Sequence, residues 1–165
     1  MQLASKKKAT TLFGWIIKAW PFSGFGWHNR YCHSELVFSN GEWFSSRDIN
    51  GTAFSAGPPY GDKPEWYDYI DVPMSQEDED RIMRWCEREI FNEDCSKCTY
   101  DIIGVILSFS PIPIAWQNSR QWFCSEVCCA ALQTAGWLSG YTAATISPLR
   151  LHKFLMQERR RREKR

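Results

Sequence analysis

The dipeptide Asn40-Gly41, placed between two strand-like runs, is the feature that most constrains how this chain can fold. The runs extend from Cys32 to Ser39 and from Glu42 to Arg47. Asn-Gly at such a junction predicts a β-hairpin with a type I′ turn, because that turn needs a positive φ at both central residues. The chain is therefore expected to contain at least one antiparallel pair of strands.

The first of these strands carries a histidine and a carboxylate. Side chains alternate between the two faces of a strand, so His33, Glu35 and Val37 share one face while Leu36 and Phe38 share the other. Strand geometry separates His33 and Glu35 by about 6 to 7 Å along the chain. The pair is a candidate for an imidazole base with an orienting carboxylate.

The remaining elements are predicted from apolar periodicity and from helix-start and turn signals. Ser75, followed by acidic residues in the next turn, favours a helix start. The predicted elements are a helix over 10–20, a loop from Asp48 to Tyr67, a strand from Trp66 to Pro73, a helix from Ser75, a helix from Tyr100 to Phe109, and a last helix from Ser147-Pro148. These elements predict an α+β fold in which an antiparallel sheet packs against helices.

A cysteine at a predicted helix start is the other candidate site residue. The stretch Gln121–Glu126 lies between an irregular, proline-containing segment (110–120) and an apolar helix from Val127 to Ala135, which Gly136 is expected to end. Cys124 is therefore predicted in the first helical turn, where peptide dipoles favour thiolate over thiol. A thiolate is nucleophilic, so Cys124 is a candidate nucleophile; the alternative is a small buried apolar side chain.

Length and charge limit the classes of function. A chain of 165 residues with 15% aromatic side chains is expected to form one folded domain rather than a disordered segment. A formal charge of +1 argues against a general nucleic-acid binder. We expect a basic N-terminal segment over 1–10, a domain over 11–156 and a basic tail over 157–165. The tail is interpreted as a solvated helix end or as a site for an anionic partner.

The seven cysteines cannot form a complete set of disulfides. Lys18 interrupts the N-terminal apolar run and no cleavage site follows, so we expect neither a signal peptide nor a transmembrane segment, and a cytoplasmic location. Cys95 and Cys98 form a CxxC pair that could bind zinc with Cys128 and Cys129. Adjacent helical residues point about 100° apart, so we expect no metal and no cofactor.

The order of the motifs resembles the circularly permuted branch of the NlpC/P60 papain-like cysteine hydrolases, in particular the YiiX/YaeF-like group of bacteria, phages and poxviruses. In this branch the histidine strand precedes the cysteine helix. The resemblance covers roughly residues 11–156. It is carried by Tyr31–Phe38, Tyr100-Asp101-x-x-Gly104 and Phe123–Glu126, with further similarity at Trp15–Trp20, Trp43–Arg47 and Ile146–Pro148. It implies a permuted papain-like fold.

The same resemblance implies a role for each site residue. Cys124 corresponds to the nucleophile, His33 to the base and Glu35 to the residue that orients the histidine. Tyr100 is expected to line the substrate pocket, and Trp122 is predicted to contact the substrate as well. The implied activity is hydrolysis of an amide or ester in a peptide, peptidoglycan or lipid through an acyl-enzyme intermediate, without a metal or cofactor.

Two alternative functions remain open. One is a viral or phage structural or host-interaction protein on the same scaffold, which would be virion-associated. The other is a membrane-surface acyl-lipid hydrolase or acyltransferase, favoured by the aromatic loop from Phe22 to Trp27. The presence of Cys124, His33 and Glu35 together argues against a scaffold without activity.

Overall fold

A five-stranded antiparallel sheet organises the computed structural model, which describes residues 1–19, 30–47, 51–91, 100–108 and 121–164. Its strands lie in the order β4-β3-β2-β1-β5. They are β1 (Gln2–Lys6), β2 (His33–Val37), β3 (Trp43–Arg47), β4 (Gly51–Ser55) and β5 (Tyr67–Asp71). Together with the helices they form an α+β architecture, as predicted.

The described residues form five α-helices, and all five overlap predicted ones. They are α1 (Leu12–Ala19), α2 (Gln76–Phe91), α3 (Ile102–Ser108), α4 (Cys124–Thr134) and α5 (Pro148–Arg162). The hydroxyl of Ser75 accepts the backbone N–H of Asp78 at 3.1 Å. That of Ser147 accepts the N–H of Arg150 at 3.4 Å. Both serines therefore cap their helices, which confirms the two predicted starts.

The predicted hairpin forms, but its turn is of a different type. Gly41 has a φ of +90°, whereas Asn40 does not have a positive φ. The N–H of Gly41 donates to the carbonyl of Phe38 at 3.0 Å. The connection is therefore a three-residue loop with glycine in the left-handed region, and the type I′ prediction is wrong. The side-chain oxygen of Asn40 instead accepts the N–H of Glu42 at 2.9 Å.

Two strands lie where none was predicted. β1 lies inside the sheet between β2 and β5, so residues 2–6 are part of the sheet. Lys6 is buried because its ammonium pairs with Asp62 and donates to the hydroxyl of Thr10 at 2.7 Å. β4 lies inside the stretch predicted as a loop and pairs with β3 along its whole length.

The main hydrophobic core lies between one face of the sheet and the helices α2, α4 and α5. Leu36 and Phe44 from the sheet and Val127 and Leu132 from α4 are fully buried in it. α4 packs across β2 and β3. This packing places the first turn of α4 beside the hairpin that carries the histidine.

α5 continues into the basic tail as far as Arg162. The guanidinium of Arg162 lies over the ring of Trp137, 4.0 Å from its centroid, and donates to the carbonyl of Gly136 at 2.6 Å. The carboxylate of Glu158 accepts the N–H of Leu138 at 2.8 Å. The start of the tail therefore packs against the segment that follows α4. Within the described part of the chain, every helix is too short or too polar to cross a bilayer.

Candidate active site

Cys124 is the first residue of α4, as predicted, and its side chain is buried. The preceding residue, Phe123, has an extended backbone, and its N–H donates to the carboxylate of Glu126 at 3.4 Å. The hydroxyl of Ser46 on β3 donates to the carbonyl of Trp122 at 2.6 Å. The start of the helix is thus held against the end of the hairpin.

The hairpin is open where the sulfur approaches it. Within the described hairpin, the ladder between β2 and β3 pairs Leu36 with Phe44 and Val37 with Trp43 and does not extend to Ser34. The carbonyl of Ser34 accepts hydrogen bonds from Ser45 Oγ at 2.6 Å and from Cys128 Sγ at 3.6 Å. The backbone of Ser34 also helps to lower the pKa of the Cys124 thiol. Because the ladder does not extend to Ser34, the backbone polar groups of Ser34 are left to interact with α4.

His33 and Glu35 share one face of β2, as side-chain alternation predicted. His33 Nε2 lies 3.0 Å from Glu35 Oε1. Glu35 is fully buried, whereas 15% of the His33 side chain is exposed. The imidazole also interacts with the sulfur of Cys124, and each shifts the pKa of the other. Because Nε2 faces Glu35, Nδ1 is the ring nitrogen left for the sulfur, and the three residues form one chain of interacting groups.

The electrostatics of this chain favour separated charges on sulfur and imidazole. Burial by itself raises the pKa of the Cys124 thiol, but the charge and hydrogen bond of His33 and the Tyr100 hydroxyl bring that pKa below its ordinary value. Burial lowers the pKa of His33, but the negative charges of Cys124 and Glu35 raise it above its ordinary value. The favoured protonation state is therefore a thiolate beside an imidazolium.

The two residues predicted to contact substrate occupy different environments. Tyr100 is buried, and its hydroxyl donates to Cys124 Sγ at 3.6 Å. The indole of Trp122 instead packs edge-on against Trp85 of α2, with the ring centroids 5.8 Å apart. Tyr100 thus reaches the nucleophile, whereas the ring of Trp122 makes a packing contact at the main core.

Arg47 completes the arrangement, and the sequence reasoning missed it. Its Nη2 donates to Glu35 Oε2 at 3.0 Å, and only 4% of its side chain is exposed. Charged side chains are rarely this buried without a partner of opposite sign. The sequence did hold a signal for this role. Arg47 ends the hairpin strand that is predicted to lie next to the strand with His33 and Glu35.

The other cysteines near the site differ from Cys124. Burial raises the pKa of Cys32 to about 11 and that of Cys128 well above its ordinary value. Cys95 and Cys98 lie outside the described residues, as does the aromatic loop. In the residues that the structure describes, no group of three His, Cys, Asp or Glu side chains is arranged to hold a metal ion.

The arrangement provides the groups needed for attack on a carbonyl carbon. The sulfur is poised as a thiolate, the imidazolium beside it can donate a proton, and free N–H groups of the first helical turn lie next to the sulfur. No family model, curated protein or solved structure matches this chain. The functional interpretation therefore rests on the chemistry of Cys124, His33, Glu35 and Tyr100.

Proposed function

We propose that this protein is a cysteine hydrolase that cleaves an amide or ester bond, with Cys124 as the nucleophile, His33 as the base and Glu35 as the orienting residue. The observation that carries the proposal is the chain of interacting groups from Cys124 through His33 to Glu35, in which His33 Nε2 lies 3.0 Å from Glu35 Oε1, the pKa of the thiol is lowered and that of the imidazole is raised. Cys128 is as deeply buried but its pKa is raised, so burial alone does not produce this state.

In the first half-reaction, Cys124 Sγ forms a bond to the substrate carbonyl carbon, and the π electrons of the carbonyl move onto its oxygen. The backbone N–H of Cys124 and the hydroxyl of Tyr100 are the nearby donors for that oxyanion. Collapse of the intermediate breaks the C–N or C–O bond. His33 gives its proton to the departing amine or alcohol, and a thioester is left on Cys124.

In the second half-reaction, His33 accepts a proton from water while the water oxygen attacks the thioester carbon. Collapse breaks the C–S bond, releases the carboxylic acid and restores the thiolate–imidazolium pair. Glu35 keeps the ring in the orientation that both proton transfers need and stabilises its positive charge. The two half-reactions balance with water as the only co-substrate.

The resemblance to the permuted NlpC/P60 enzymes supports this proposal. In both, the histidine strand precedes the cysteine helix, and an antiparallel sheet packs against that helix. We include the papain-like fold in the proposal on this ground. The proposed substrates are peptide or peptidoglycan amides and acyl-lipid esters.

A second candidate is an acyl-lipid hydrolase or acyltransferase at a membrane surface. Its support is a set of large exposed apolar side chains on α1 and α3: Trp15 at 62%, Ile102 at 52% and Ile103 at 56%. Both helices also contribute to the buried cluster that contains Tyr100. Exposed apolar groups near the nucleophile suit contact with acyl chains.

Under this alternative, a Trp15→Ser/Ile103→Ser variant loses hydrolysis of vesicle lipid and keeps hydrolysis of a soluble thioester.

An electrophilic acyl probe followed by peptide mapping tests the main proposal. We expect the probe to label Cys124 in the wild-type protein near neutral pH. Labelling should be lost in His33→Ala, because the thiol then has no imidazolium beside it. Circular dichroism checks that the variant is folded. Labelling of the other cysteines while Cys124 stays unlabelled would contradict the proposal.

A further inference from the structure

We propose that Arg47 is a positioning residue that fixes the orienting carboxylate and balances the charge of the catalytic chain, an inference that rests on the proposed cysteine hydrolase activity. Its Nη2 contacts Glu35 Oε2 at 3.0 Å, and His33 contacts the other oxygen, Oε1, also at 3.0 Å. Each oxygen of Glu35 thus has its own charged or chargeable partner. The carboxylate is held between a fixed cation and the imidazole.

Arg47 is itself held in place by a residue of the neighbouring strand β4. The same Nη2 donates to the hydroxyl of Ser55 on β4 at 2.9 Å, and that hydroxyl donates to the carbonyl of Gly57 at 2.7 Å. The guanidinium therefore bridges β4 and the carboxylate of β2. Rotation of the Glu35 carboxylate would break the contact with Arg47, so this bridge fixes Oε1 toward the imidazole.

Stability alone does not account for the buried pair of Arg47 and Glu35. Well-packed apolar residues commonly stabilise such a position as well as an ion pair does, because both charges lose their hydration. Arg47 Nε also has no hydrogen-bond partner within the described part of the chain, which adds to the free-energy cost of burying this pair. The contact with the residue that orients His33 supplies a functional reason for the pair.

The other titratable groups facing Glu35 do not supply a positive charge. They are Tyr67 and Tyr69 of β5 and Cys128 of α4, and burial, with a contribution from the charge of Glu35, raises the pKa of all three. Lys6 of β1 pairs with Asp62 instead. Among the described residues, Arg47 and His33 are therefore the cationic groups paired with this carboxylate.

This arrangement makes the reactive form of the site electrically neutral. Arg47 and the imidazolium carry two positive charges, and Glu35 and the thiolate carry two negative ones. Without Arg47 the same form would have a net negative charge in a buried site, which is unfavourable. The Cys124 thiolate would then take up a proton at a higher pH. The acidic limb of Cys124 reactivity should therefore move to higher pH when this cation is removed.

The test compares the pH dependence of iodoacetamide alkylation of Cys124 in wild type, Arg47→Met, Arg47→Lys and Arg30→Met. Arg30→Met is the matched control, because it removes an arginine that pairs with a different carboxylate, Asp68, at 3.0 Å. We expect Arg47→Met to raise the acidic midpoint by about 0.5 to 1 pH unit, which is roughly a threefold to tenfold slower reaction below the midpoint. Arg30→Met should leave it unchanged.

Arg47→Lys separates charge from geometry. It keeps the positive charge but replaces the planar guanidinium with a shorter, point-like ammonium. The acidic midpoint should stay near that of the wild type, while kcat/KM falls because Glu35 is less well fixed. An unchanged midpoint in folded Arg47→Met would overturn the inference, as would an Arg47→Lys variant that matches the wild type in both quantities.

If Arg47→Met does not fold, a double-mutant cycle with Glu35→Gln provides the test. Arg47→Lys should lower kcat/KM in the wild-type background and have no further effect on kcat/KM in Glu35→Gln, because the residue acts through the carboxylate. Equal effects in both backgrounds would overturn the inference. A uniformly unreactive Cys124 in the wild type would instead refute the proposed hydrolase, so the two failures are distinguishable.

Discussion

The two ends of α4 leave opposite kinds of backbone group unpaired, N–H groups at the first turn and C=O groups at the last, and the two ends are completed in different ways. At the first turn, Cys124 meets His33, and the pKa values of both side chains are shifted in opposite directions. At the other end, Gly136, with a φ of +75°, donates its N–H to the carbonyl of Gln133, and Arg162 covers the following turn. The second end has the glycine termination common to helices and no reactive group.

The cysteines of α4 extend this comparison along the helix. Cys124, Cys128 and Cys129 are all buried. Burial raises the pKa of Cys129 to about 12 and that of Cys128 well above its ordinary value, whereas the imidazole of His33 lowers that of Cys124. Burial is common to the three thiols, so the charged partner accounts for the difference. Position in the first turn adds to it, because the helix dipole acts only there.

The largest effect on kcat/KM is expected when two buried cysteines of α4, Cys124 and Cys128, are replaced by alanine one at a time. Cys124→Ala should reduce kcat/KM by about a thousandfold or more, since removal of a nucleophile eliminates the acyl-enzyme route. Cys128→Ala, four residues along the same helix, should keep kcat/KM within about threefold and lower the free energy of unfolding by about 1 kcal/mol. Turnover and thermal unfolding of the two variants make the test. Substantial turnover in folded Cys124→Ala would break the comparison.

A smaller effect is expected for Glu35→Gln, which keeps a hydrogen-bond acceptor for His33 but removes the charge. A nearby carboxylate favours the imidazolium, so its loss lowers the pKa of His33, and the ion pair is lost at a lower pH. The alkaline limb of kcat/KM should move down by about 1 pH unit. Glu42→Gln, at a half-buried position beside the turn of the same hairpin, is the control. Identical profiles would show that Glu35 does not act on His33.

Glu126 lies in the same turn as Cys124 but is held in its neutral form. Burial, with the nearby charge of Asp101, raises the pKa of Glu126 to about 8 against the hydrogen bond from Phe123. The unfolded carboxyl ionises at its ordinary pKa, so stability is full below that value and falls as the pH rises toward 8.

Glu126→Gln should remove this pH dependence. The variant should be more stable than the wild type at pH 8 by on the order of 1 to 3 kcal/mol, because it has no buried carboxyl to ionise. Urea unfolding at pH 5 and pH 8 measures the difference. A wild-type stability that is flat between these pH values would show that burial does not control this group.

The smallest effect is expected at the other end of α4. Arg162→Ala should lower the free energy of unfolding by about 0.5 to 1 kcal/mol, since it removes a cation–π contact with Trp137 that is partly exposed to solvent. Arg161→Ala, at the next exposed position of α5, should have no measurable effect. Thermal unfolding of both variants is the measurement. Equal stabilities would show that Arg162 is only a solvated end of the helix.

Features that depend on neighbouring residues could be predicted from the sequence. The hairpin, the shared face of His33 and Glu35, and the start of α4 at Cys124 each follow from signals within a few positions. The turn type was wrong because Asn-Gly also suits a three-residue loop in which only Gly41 has a positive φ.

Features that depend on distant partners could not be predicted in this way. β1 ends at the first of three consecutive lysines, which predicted a basic segment, and the burial of Lys6 becomes favourable only through Asp62, which follows much later in the chain. Arg47 was missed for the same reason, because its role depends on a carboxylate on another strand. The resemblance to a known family included the stretch around Arg47 but gave it no role.

The position of β1 between β2 and β5 has a consequence for folding kinetics. Gln2 of β1 and Asp71 of β5 are hydrogen-bonded partners that lie 69 positions apart in the chain. The entropy of closing so long a loop is lost before the ladder forms, so folding should be slow, on the order of milliseconds to seconds. Until β1 is inserted, the neighbouring strands keep unpaired edges that can join other chains. The yield of refolding from denaturant should therefore fall as the protein concentration rises.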